Sequence, residues 1–134
     1  MIELLQLSQV LNVVRATGTE VRYHHEDCAT NKAAGWYRLG PNVDRLVICP
    51  DNQLNHSDLF DTVRHEAIHV VQACKGSTIL PYDYYIKNTP EHIKTRVFNG
   101  YPKRSHHVEL EAFTGAYYLS EGDVIQLLKK WCFN

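Results

Sequence analysis

The amino-acid sequence predicts a single α+β domain over residues 1–134. Three observations carry that expectation. Short alternating stretches lie between residues 19 and 49, helical periodicity flanks them on both sides, and turn residues separate the pieces. A hydrophobic fraction of 44% and a charged fraction of 22% are ordinary for one globular core of this length. The expected layout is a small, mostly antiparallel sheet packed on the helices that follow it.

Taken in order, residues 2–16 place Leu4, Leu7, Leu11 and Val14 on one helical face, with Gly18 as the stop. Residues 19–27, 34–39 and 45–49 read as strands, with Gly40-Pro41-Asn42 as the turn of a hairpin and Pro50 as the end of the third strand. A helix is expected from a cap at Ser57 or Asp58 to Lys75, closed by Gly76. Residues 77–87 read as turn-rich and aromatic. Thr89 as cap and Pro90 at the first helical position open a helix that ends by Asn99-Gly100. Another runs from His106 to Leu119, and Ser120-x-x-Asp123 is a capping box for a last helix through Trp131.

Composition excludes several functions. A formal net charge of -1 argues against an electrostatically driven nucleic-acid partner. The local basic run of Lys87, Lys94, Arg96, Lys103 and Arg104 reads as a solvated face. No apolar run approaches the roughly 18 residues of a membrane span. Met1-Ile2-Glu3-Leu4 lacks the basic start of a secretory leader, so a cytoplasmic protein is expected. Cys28, Cys49, Cys74 and Cys132 form no C-x-x-C pair and are expected as buried thiols. His24 and His25 are expected at the surface.

The chemistry concentrates in His65-Glu66-Ala67-Ile68-His69. No Pro or Gly interrupts residues 54–75, so the motif falls inside a helix. Histidines four apart lie one turn apart on one face and can grip a single ion. Neutral imidazoles suit Zn2+, and a catalytic zinc takes three protein ligands and keeps one position open. His65 and His69 are the expected ligands. Glu66 beside them is the expected general base.

Thr62 through Val71 resembles the extended signature of the zincin metallopeptidases, filling every place of it. Gln72 and Lys75 stand where metzincins carry Gly and His, so the resemblance is to gluzincins, which draw a third ligand from a Glu on a later helix. That implies a minimal zincin-like domain with Glu111 as third ligand. Glu109 and His92 are the alternatives. Glu111 is preferred because Ala112, Gly115 and Ala116 around it are small, which lets its helix approach the motif helix closely. The run from Glu111 to Leu119 is also similar to the third-ligand helix of ImmA/IrrE-type minimal metallopeptidases and of small bacterial and phage metallopeptidases. It departs from them at Phe113, often Asn or Asp there, and at Gly115, often Phe.

His107 and Tyr118 share the helical face of Glu111 and are the candidate donors to the developing oxyanion. Tyr117 is expected in the core. Trp36 and the strand of residues 45–49 are expected to border the cleft, where zincins align the substrate along a sheet edge. The leading expectation is a zinc-dependent peptidase acting on a peptide or protein substrate. The alternative is a zinc-binding structural or protein-interaction domain without turnover. A third reading, an amidase of deformylase type, needs Cys28 or Cys49 as a ligand.

Overall fold

The computed structural model describes residues 2–23, 25–53 and 55–133, with side chains for all of these except residues 2–6, 31, 56 and 57. His24 lies outside the described residues. The architecture is α+β. Helix α1 (Ile2–Ala16) leads into strand β1 (Glu20–Tyr23), the short helix α2 (Asp27–Asn31), and strands β2 (Gly35–Gly40) and β3 (Val43–Ile48). Helices α3 (His56–Lys75), α4 (Tyr82–Asn88), α5 (Glu91–Gly100), α6 (His106–Tyr118) and α7 (Glu121–Cys132) follow.

The sheet is mixed, not mostly antiparallel. Its order is β1-β3-β2, with β1 parallel to β3 and β2 antiparallel to β3. The hairpin turn at Pro41-Asn42 occurs where expected, with Gly40 opposite Val43. The parallel pair arises because the chain leaves β1 through α2 and returns on the far side of the sheet. That puts β3 in the middle, so its Leu46, Val47 and Ile48 are all fully buried. It is therefore no edge for a substrate. β2 is the edge that faces α3.

Helix α3 is the centre of the molecule and packs against α1, α6, α7 and the sheet. Val63, Ala67, Ile68, Val70 and Val71 of α3 share a core with Val10, Leu11 and Val14 of α1, Leu46 and Ile48 of β3, and Leu128 of α7. Its start corrects the expected cap. Asn55 is the N-cap and accepts from the backbone N–H of Asp58, which places Ser57 and Asp58 inside the first turn. Gly76 closes α3 at φ 82°, as its position predicted. The Ser120–Asp123 capping box is formed in both directions. Thr89 does not cap α5, which begins after Pro90. Its hydroxyl turns inward instead, to the Tyr85 carbonyl and the Thr114 hydroxyl. The aromatic run taken as turns contains α4, with Tyr85 buried in a second small core beside Val97 and Leu110.

Two glycines set close approaches around α3. A Cβ on Gly115 would meet Ile68 Cδ1 at 2.5 Å, so α6 lies against α3 at this point. A Cβ on Gly35 would meet the Val47 carbonyl at 2.8 Å and Thr62 Cγ2 at 2.9 Å, which seats the start of β2 on α3. Arg64 ties the bundle together. It donates to the Ala116 carbonyl at 2.8 Å and pairs with Asp61 and Glu121.

The four cysteines are not free thiols. Cys28 pairs with Cys49 and Cys74 with Cys132. Residues so far apart in sequence gave no local sign of pairing. The fold brings their Cα atoms to 5.6 Å and 5.1 Å. Among the described residues, no helix is long and apolar enough to cross a membrane.

Candidate metal centre

His65 and His69 project from the same face of α3 towards α6. Their Nε2 atoms lie 3.2 Å apart. Glu109 Oε1 closes the group from α6, at 3.2 Å from His65 Nε2 and 2.8 Å from His69 Nε2. Three donor atoms thus form a nearly equilateral triangle. Ligands held tetrahedrally at about 2.0–2.1 Å from zinc sit roughly 3.3 Å from one another. The triangle fits that requirement with a small expansion along one edge.

The surroundings fix the orientation of the imidazole nitrogens. His69 Nδ1 lies 2.7 Å from Gln72 Oε1, which fixes its N–H there and leaves Nε2 for the ion. Gln72 in turn donates to the Val108 carbonyl at 3.0 Å and to Glu111 Oε1 at 2.9 Å. Burial opposes the charged form of His69, but the hydrogen bond and charge of Glu109, the charge of Glu66 and the hydrogen bond to Gln72 together outweigh it and raise its pKa to about 9. Burial likewise disfavours the Glu109 carboxylate, yet its hydrogen bonds from His65 and His69 lower its pKa to about 2.

Glu111 is not placed as the expected ligand. It is 0% exposed. Its carboxylate accepts from the Ile79 N–H at 2.8 Å and the Leu80 N–H at 2.7 Å, besides the Gln72 amide. It anchors the loop after α3. Glu109, two residues earlier, takes the place expected for it. Residues two apart on a helix point roughly 200° apart, so only one of them can meet the histidines.

Glu66 is buried beside the triangle, and the ligand atoms of His65, Glu66 and His69 lie within 4.8 Å of one another. Glu109 is the better candidate for a third ligand, because its oxygen contacts both imidazoles directly while the Glu66 carboxylate accepts from the Tyr37 backbone N–H. Burial pushes the Glu66 carboxyl up, against the opposing pull of His65 and His69. That suits a group that accepts a proton and later returns it.

A cleft of about 590 Å³ opens over His65 and Glu66. Residues 33–35, which lead into β2, form one wall and α5 the other, with Tyr101, Phe113 and Tyr117 between them. Neither Trp36 nor β3 lines it. Trp36 instead meets the His25 ring edge-on, at 5.7 Å between centroids. The half-buried His25 ring accepts from the Asp27 N–H at 3.1 Å and is not simply a surface residue.

The expected oxyanion donors lie elsewhere. His107 Nδ1 is 3.2 Å from the Tyr85 hydroxyl, and its ring packs beside Tyr82. Tyr118 is 52% exposed and packs against Tyr117, which is 66% exposed and lines the cleft instead of the core. His92 stands on the α5 wall of the cleft and outside the triangle. Cys28 and Cys49 are bonded to each other, so neither offers the thiolate of a deformylase-type site.

No solved structure and no curated protein matches this chain. The chain belongs to the family described as Domain of unknown function (DUF8637), whose pattern matches residues 2–133. The match takes in the whole centre, from α3 through α6.

Three residues of this DUF8637 centre escaped the sequence reading. Gln72 had a signal, since it is a polar residue between Val71 and Ala73 on a buried helix, one turn from His69. Tyr101 had none beyond its place in Gly100-Tyr101-Pro102, which reads only as a chain break. Its hydroxyl is pushed up in pKa first by burial and then by the Glu109 charge, which sets it close to the triangle. Arg96 was hidden in a basic run that reads as solvated surface.

Proposed function

We propose that this protein is a zinc-dependent peptidase. The observation that carries the reading is the triangle of His65 Nε2, His69 Nε2 and Glu109 Oε1 under an open cleft, with buried Glu66 beside it. Zinc bound there supplies an acidified water and a Lewis acid for the peptide carbonyl.

The chain's own residues do the rest. Glu66 takes a proton from the attacking water at its carboxylate and delivers it to the leaving amine. The Tyr37 N–H holds that carboxylate in place. Tyr101, on the cleft wall, donates its hydroxyl to the carbonyl oxygen as charge develops. Gln72 keeps the His69 imidazole in the binding tautomer.

The test is zinc content per chain, followed by cleavage of a mixed peptide library by the wild type and by Glu66→Gln. One zinc in both proteins, with cleavage lost only in the variant, supports the peptidase. One zinc and no cleavage by either protein favours a zinc-binding structural or interaction domain. No zinc in the wild type refutes both. The two disulfides fit an oxidising compartment better than the cytoplasm suggested by the first residues.

A further inference from the structure

One wall of the cleft carries a guanidinium that the proposed hydrolysis does not use. His92 and Arg96 stand one turn apart on α5, and both line the cleft. The Arg96 guanidinium carbon lies 5.4 Å from the centre of the Phe113 ring. That ring centre is itself 4.3 Å from the centre of the His65 imidazole. Phe113 therefore holds the guanidinium one aromatic ring away from a ligand histidine.

Stacking engages the face of a guanidinium and leaves its N–H edges open to a planar acceptor. Among the described residues, three acids near the metal centre are engaged elsewhere, and Asp58, which also lines the cleft, makes no ion pair with Arg96. Asp61 pairs with Arg64, Glu66 accepts from Tyr37, and Glu109 meets the histidines. Arg96 is exposed to the cleft and has no carboxylate partner among the described residues. A fixed, unpaired guanidinium beside a reaction centre is a receptor for a carboxylate, which it binds through two parallel hydrogen bonds. His92 adds a second donor on the same wall.

We propose that Arg96 determines specificity by binding a substrate carboxylate, so that this protein cuts peptides next to an acidic group. The inference rests on the peptidase reading. The carboxylate is either an Asp or Glu side chain or the free C-terminus of the peptide.

Three peptides of one sequence separate these cases. One carries an internal Glu with an amidated end, one has Gln at that position with an amidated end, and one has the same Gln with a free C-terminal carboxylate. Zinc-loaded wild type is expected to favour one carboxylate-bearing peptide over the Gln amide by about ten- to a hundredfold in kcat/KM. Whichever peptide is favoured identifies the source. Arg96→Gln brings the ratio close to one, and Arg96→Lys restores only part of it because a point charge cannot reproduce the fork.

A second arm is independent of turnover. Zinc-loaded Glu66→Gln is titrated with the same peptides, labelled for fluorescence anisotropy, with and without Arg96→Gln. Tight binding of the acidic peptide that depends on Arg96, without cleavage by the wild type, keeps Arg96 as the carboxylate site and rejects the peptidase, and with it cleavage next to an acidic group. Cleavage with no acidic preference rejects the inference alone. An equal loss on all three peptides in Arg96→Gln, with the ratio kept, also rejects it and leaves Arg96 a packing partner of Phe113.

Discussion

Glu111 and Glu109 stand two residues apart on α6 and are expected to fail in opposite ways. Glu111→Ala removes the acceptor for three donors, the N–H groups of Ile79 and Leu80 and the amide of Gln72. A buried donor left unsatisfied costs about 1–3 kcal/mol. Some water will enter at the loop, so the expected loss is nearer the low end for each, or about 4 kcal/mol in all. With a urea slope of about 2 kcal/mol per M, the unfolding midpoint of the metal-free protein should fall by about 2 M. Glu109→Gln removes no backbone anchor and should leave that midpoint much closer to wild type.

Metal affinity should show the reverse order. Glu109→Gln loses a ligand and its charge. Glu111→Ala acts on the ion only through Gln72 and His69, and outer partners of this kind are worth about 10–100-fold. The assay is urea unfolding in chelator, paired with zinc competition against a chromophoric chelator. Loss of zinc in Glu111→Ala with an unchanged midpoint, together with normal zinc binding by Glu109→Gln, would refute this division of roles.

Two further predictions concern pH and redox state. In metal-free protein, His69 is raised from 6.5 to about 9, so its stabilisation is full below about 6.5 and is lost as pH rises through about 9. Glu109 is lowered from 4.5 to about 2, so its stabilisation is full above about 4.5 and is lost as pH falls through about 2. Urea midpoints in chelator should therefore be highest between about 4.5 and 6.5, and a midpoint rising steadily to pH 9 would contradict the pairing. Reduction should also destabilise the fold, because Cys28–Cys49 and Cys74–Cys132 close sequence separations of 21 and 58 residues. Chain entropy assigns these roughly 3 and 4 kcal/mol, so Cys74→Ala/Cys132→Ala should lower the urea midpoint more than Cys28→Ala/Cys49→Ala.

Local chemistry was legible wherever short-range physics decides it. The Gly76 stop, the Ser120–Asp123 box and the Pro41-Asn42 turn depend on residues within a few positions of each other, and all formed where the sequence placed them. Gly115 also told the truth. A glycine inside a helix is costly, and here it makes room for Ile68. The end of α1 ahead of Gly18 was legible in the same way. Where the reading missed, competing partners lay far along the chain. Thr89 closes α4 and does not cap α5, because Thr114 and the Tyr85 carbonyl claim its hydroxyl.

The amino-acid sequence by itself determined the α+β class, a central helix carrying His65, Glu66 and His69 on adjoining faces, and a close-packing helix bearing two glutamates. These follow from helical period and from which residues tolerate burial. Only the tertiary structure decided which glutamate meets the histidines. Helix α6 is buried nearly all round, with residues 109–112 and 114–116 enclosed, so no polar face marks its orientation. Its rotation is set by Gly115 against Ile68 and by the loop N–H groups of Ile79 and Leu80 that claim Glu111. The order of the sheet, the pairing of the cysteines and the place of Arg96 over Phe113 depend likewise on contacts between distant segments, which periodicity does not encode.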